Sequence, residues 1–209
     1  MEAKSPIFDS KTGAWLGNDS TGFMNDDVLF MDADKYKELK ANSENGVVDH
    51  KDATKNSKSI ADLPDTAEGM QLFHNATDFI AKVTYQVFHG ENPTEGLLAG
   101  EISTSSEKLG LGINNPENLG TEFGQTNNMA EATGDKLGVE KISINFDKRK
   151  FLNTAGNIGS LFEHEYHFHG VSNIRNINTP NAESVIYQKQ AKTSIFKFTS
   201  GHYKQHVLD

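Results

Sequence analysis

Residues 163–169 read Glu-His-Glu-Tyr-His-Phe-His, three imidazoles and two carboxylates in seven positions. Zn²⁺ takes imidazole nitrogens and carboxylate oxygens, and a catalytic site leaves one position open to water. A glutamate beside the first histidine can take a proton from the activated water and return it to a leaving amine. The chain has no cysteine, so a metal of this kind must be held by His, Asp or Glu. The chemistry suggested is metal-assisted hydrolysis.

The commonest helical arrangement is His-Glu-x-x-His, but here Phe stands at 168 and histidines fall at 167 and 169. On a regular helix His164 and His167 are ~60° apart, yet Glu165 then lies ~160° from His167. His164 and His169 are ~140° apart, with Glu165 between them. A π-bulge or a loosened last turn closes that gap, and such bulges favour functional sites. The position of Glu165 favours His164 and His169 as ligands, with His167 as the fallback. The competing reading is a solvated histidine run at a helix C-terminus, where the dipole favours cations.

Other residues carry weaker signals. Tyr187 and Tyr203 can each hydrogen-bond a tetrahedral oxyanion, although a Tyr at such spacing is more often core with its hydroxyl at the edge. His202 and His206 read as a solvated pair. Asn25, Asp26, Asp27, Asp32 and Asp34 lack the Ca²⁺-loop pattern and read as turns.

The segment needs a helix to hold it. Ile158, Leu161, Phe162, Glu165 and Phe168 keep i, i+3, i+4 spacing, so a helix is predicted from Asn153 or Thr154 to about His169, stopped by Gly170. Thr66 to His89 is a second strong helix, capped by Asp65 or Thr66 and ended by Gly90. Its stripe is Met70, Phe73, Ile80, Val83 and Phe88. Ala182–Lys192 and Ser200–Val207 read as two later helices. Lys141–Phe146 alternates as a half-buried strand, either plain sheet or an edge strand that pairs with substrate. Leu97–Ser103 reads as a strand and residues 104–137 as a long irregular loop with room for one short helix. Toward the N-terminus, Phe8–Asp19 reads as a short hairpin or a β-turn pair, Val28–Met31 as a strand and Asp34–Leu39 as a turn or two of helix. Residues 41–60 read as an exposed loop. The fold class is α+β: a turn-rich segment over residues 1–60 packed on or leading into a domain over 61–209, with a mixed sheet and an active-site helix.

His164-Glu165-Tyr166-His167-Phe168-His169-Gly170 resembles the His-Glu-x-x-Gly-His-Gly variant of gluzincin metallopeptidases, as in the dipeptidyl-peptidase III family. It also looks like the minimal metallopeptidase domains at the C-termini of Rhs-type polymorphic toxins of Bacteroidetes. Pro6-Ile7-Phe8-Asp9 with Trp15-Leu16-Gly17-Asn18-Asp19 looks like their opening segment. Ala182–Gln188, Phe196 and Ser200–Lys204 look like their closing helix and tail. The resemblance covers about the first 35 and last 65 residues. It implies a zincin-like fold, Zn²⁺ as cofactor, a peptide or protein substrate, and Glu183 on the following helix as third ligand. It further implies a secreted antibacterial effector with a cognate immunity protein.

Bulk properties narrow the alternatives. A net charge of -9 disfavours nucleic acid, because phosphate binding needs a basic surface, and so argues against a metal-dependent nuclease. No apolar run reaches the ~20 residues of a membrane span. No signal peptide is visible, so an exported form would carry its address on a larger parent chain or use a specialised secretion system. The remaining rival is a non-catalytic binding or delivery-associated domain with a degenerate peptidase-like helix.

Overall fold

The computed structural model describes residues 5–20, 24, 26–90, 102–104, 130–133, 141–171 and 182–208. It is an α+β chain. Strands β1 (Pro6–Asp9) and β2 (Trp15–Asn18) form the expected antiparallel hairpin. Its turn is closed by the Asp9 carboxylate, which accepts from Thr12 Oγ1 at 2.7 Å and the Lys11 amide at 3.4 Å. Gly13 supplies the left-handed turn residue at φ 70°. Strand β3 (Leu29–Met31) pairs parallel to β1, and β4 (Lys58–Ser59) pairs antiparallel to β3, giving a mixed sheet of order β2-β1-β3-β4. Helix α1 (Ala33–Asn42) is longer than its apolar residues announce. Asp32 starts it by accepting from the Asp34 and Lys35 amides.

Residues 41–60 are not an exposed loop. They contain the end of α1, helix α2 (His50–Lys55) and β4, and a 3-10 turn, Ile60–Asp62, follows. Val48, Ala53 and Ile60 are wholly buried. Three anchors spaced five and seven apart match neither the helical nor the strand period, so the pattern is invisible to both templates.

Helix α3 (Ala67–His89) is capped by Thr66 Oγ1 on the Gly69 amide at 3.2 Å and closed by Gly90 at φ 71°. Its buried face carries Met70, Phe73 and Ile80 as expected, while Val83 and Phe88 are only half-buried. Thr77, Thr84 and Tyr85 are buried instead. Thr84 donates to the Ile80 carbonyl at 2.7 Å, so its hydroxyl enters the core already satisfied.

A second sheet, β5 (Ile102–Thr104), β6 (Ala130–Thr133) and β7 (Lys141–Ile144), has the order β5-β7-β6, parallel then antiparallel. Strand β7 is central, so it cannot be the edge strand that pairs with substrate. Strand β6 falls in the stretch expected to be loop; most of that stretch, and Leu97 to Glu101, lie outside the described residues.

Helix α4 (Ala155–Phe162) starts at Thr154, whose hydroxyl accepts from the Asn157 amide at 3.1 Å. It lies close against α3 because Gly159 has no side chain: a Cβ there would stand 2.7 Å from Thr84 Oγ1 and 2.5 Å from Ile195 Cδ1. The N-terminal segment grips its start. Gly156 N donates to the Met24 carbonyl at 2.9 Å, Val28 N to the Asn153 carbonyl at 2.7 Å, and Asn153 Nδ2 to Asp27 Oδ1 at 2.6 Å. A π-helix, Glu163–Val171, continues directly from α4 and passes the expected stop at Gly170. Helices α5 (Ala182–Gln190) and α6 (Gly201–Leu208) follow, with a 3-10 turn at Ile195–Phe198 between them.

Burial follows strand alternation. Phe8 and Phe30 point from the first sheet into the main core with Phe73, Ile80, Ile142, Phe146, Phe162 and Ile195. Ile7, Leu29 and Met31 face the other way, onto Tyr36, Val48 and Ala53. Each wholly buried Phe or Ile contributes about 1.5–3 kcal/mol. One core therefore spans the boundary at residue 60.

Candidate metal centre

The π-helix determines where its side chains point. An i→i+5 helix turns ~82° per residue where an α-helix turns ~100°, so His164 and His169 come to ~50° apart. Their rings stand 5.1 Å apart. Glu183, in the first turn of α5, reaches both: Oε2 is 3.3 Å from His164 Nε2, and Oε1 is 3.2 Å from His169 Nε2. One ligand atom from each residue falls within 4.8 Å of the others. A tetrahedral zinc ion, ~2.0–2.1 Å from each ligand, spaces them by ~3.3 Å, and Glu183 keeps about that distance to each imidazole through a different carboxylate oxygen.

The His164 ring is fixed from behind. Gln190, one turn after Ile186 on the same face of α5, donates its amide nitrogen to the Ser160 carbonyl at 3.0 Å and to Ser160 Oγ at 3.1 Å. A carbonyl only accepts, so the amide orientation is set and Gln190 Oε1 is the acceptor facing His164 Nδ1 at 3.1 Å. Nδ1 must carry the proton. Nε2 is then the nitrogen presented to Glu183, and such outer partners fix the tautomer of metal-ligating histidines. Tyr203 OH stands 3.2 Å from Gln190 Nε2 and is wholly buried. Tyr203 thus braces the network rather than facing a substrate.

The electrostatics suit a cation. Burial alone would lower the His164 pKa, but the Glu183 contact, the Glu165 charge and Gln190 outweigh it and hold the pKa above its ordinary value. The contacts from His164 and then His169 hold Glu183 far below the usual carboxylate range. A divalent cation supplies the positive charge that protons supply otherwise, so binding it releases them. Glu165 is buried, and its charge bears on His164, Tyr187 and Tyr203 together. Tyr187 packs its ring 4.9 Å from that of His164. Its pKa is raised by burial and then by Glu183 and Glu165, so its hydroxyl stays a proton donor.

His167, the fallback ligand, is not part of this group. The π-helix turns it to another face, where it gathers with His89 and Glu163. Neither His89 nor Gln190 was singled out from the sequence. Gln190 had a legible signal, since it shares the face of Ile186. His89 had none, because its partner Glu163 lies 74 residues away.

No protein-family model, curated protein or solved structure matches the chain. Among the described residues no helix is long and apolar enough to cross a membrane.

Proposed function

We propose that the chain is a zinc-dependent peptidase domain, with His164, His169 and Glu183 as ligands and Glu165 as general base and then general acid. The observation carrying this reading is the convergence of two imidazoles from the π-helix, whose pitch brings them to one face, with the Glu183 carboxylate from α5. A zinc ion held there supplies Lewis-acid polarisation of a scissile carbonyl and lowers the pKa of water. Glu165 takes the proton from the attacking water and delivers it to the leaving amine. Tyr187, neutral beside His164, donates to the oxyanion as it forms. Gln190 and Ser160 hold the His164 ring in register. Among the described residues β6 is an edge of the second sheet and lies beside the π-helix, so an extended peptide can pair there through its backbone. Delivery as a secreted antibacterial toxin with a cognate immunity protein rests on the family resemblance alone.

Glu165→Gln keeps the shape of the side chain and removes the base. The expected outcome is about a 10³-fold loss of kcat on a peptide library with zinc retained. Unchanged cleavage by the purified variant would refute the mechanism. A second reading, a non-catalytic binding or delivery-associated domain, draws on the same contacts, because Glu183 can also clasp two imidazolium rings. Stoichiometric zinc in purified protein separates the two.

A further inference from the structure

The π-helix has a second histidine-bearing face. Glu163 and His167 are four residues apart, which is ~30° round an i→i+5 helix and ~120° from the sector of His164 and His169. Glu163 is only 5% exposed. Its Oε2 meets Nε2 of His89, the last residue of α3, at 2.7 Å. The His167 ring lies nearly parallel to that of His89, with centroids 4.6 Å apart. Tyr85, one turn back on α3, stacks on His89 at 4.3 Å and sets its hydroxyl 3.3 Å from His167 Nδ1. One ligand atom from each of His89, Glu163 and His167 falls within 4.8 Å of the others.

A buried carboxylate needs a partner, and His89 alone supplies one to Glu163. An ion pair needs only one imidazole, yet a second, His167, stacks on His89 beside the same carboxylate and meets the Tyr85 hydroxyl. Two imidazoles and a carboxylate are a zinc-type donor set, and a hydroxyl bonded to a ligand ring is the kind of outer support such rings receive. We infer that His89, Glu163 and His167 form a second divalent-cation site of the zinc class, tying the end of α3 to the π-helix. The two sites draw on adjacent residues, Glu163 and His164, which point to different faces of one backbone. Filling the second site pins the frame in which the first is built, and it needs no catalysis to do so.

The test is zinc content by elemental analysis, after chelation and reloading of the whole chain with zinc alone. Wild type binds two equivalents. His89→Gln binds one, and His164→Gln with Glu183→Gln also binds one, lost on adding His89→Gln. If His89→Gln fails to fold, His167→Gln serves in its place, with zinc-induced change in melting temperature as the second readout. Wild type holding a single equivalent that His89→Gln and His167→Gln leave in place overturns the inference. Zinc lost with His89→Gln but untouched by the His164 and Glu183 changes supports this site and refutes the peptidase reading instead.

Discussion

The N-terminal sheet and the π-helical region both bury polar side chains, but for different ends. In the sheet region the buried groups are Ser5, Asp9 and Asp19. Asp9 closes a hairpin turn, and Asp19 accepts from the Ser5 amide while its other oxygen meets His50 Nδ1 at 2.7 Å. Along α4, the π-helix and α5 the buried groups are Asn157, Ser160, Glu163, His164, Glu165 and Gln190. Asn157 ties the helix to Phe151 and Ser200, which is scaffolding. The other five orient imidazoles or place charge beside them. Turns, an amide contact and the Asp19–His50 pair occupy the first region, whereas the second gathers imidazoles and carboxylates into groups that could hold a metal ion.

If that difference is right, substitutions in the two regions separate into loss of activity and metal on one side and loss of stability on the other. After Glu165→Gln, the largest effect is expected from Tyr187→Phe. Removing an oxyanion donor lowers kcat by about 10²-fold with zinc content unchanged, read from steady-state cleavage of the best peptide found. Gln190→Leu frees the His164 ring and weakens zinc binding by ~10–100-fold, measured by competition with a chelator.

A smaller effect is the pH dependence of the metal-free chain, read as melting temperature. Glu183 has a depressed pKa, so its contribution is present above its ordinary 4.5 and lost as pH falls through the depressed value. His164 has a raised pKa, so its contribution is complete below its ordinary 6.5 and lost as pH rises through the raised value. The metal-free protein should melt highest between about pH 4.5 and 6.5. Saturating zinc should move the optimum upward, because protons compete with the ion. The smallest effect is Asp9→Ala, about 1 kcal/mol of stability by denaturant unfolding, with metal content and cleavage unchanged. Zinc loss on that substitution would erase the distinction between the regions.

Much of this was legible along the chain, for physical reasons. The α3 boundaries were readable because Thr66 and Gly90 act locally. A local bulge or loosened turn was readable because it lets His164 and His169 share a face near Glu165, but a π-helix of nine residues running past Gly170 was not. The structure brings Glu183 to them, the residue that the family resemblance pointed to. The fold of residues 41–60 was not legible, since Val48, Ala53 and Ile60 are anchored by tertiary contact rather than by a period. The place of β7 was hidden because alternation along a strand does not say what flanks it. His89 and Glu163 meet only when α3 packs on α4, which depends on the missing side chain of Gly159 rather than on any motif around either residue.

The most direct measurement is zinc-edge X-ray absorption on the His89→Gln chain, which keeps the proposed His164, His169 and Glu183 site. A shell of two imidazole nitrogens and a carboxylate oxygen at ~2.0–2.2 Å, abolished by His164→Gln, is the predicted result. A chain that binds no zinc, or binds it with a shell that His164→Gln leaves unaltered, would contradict it.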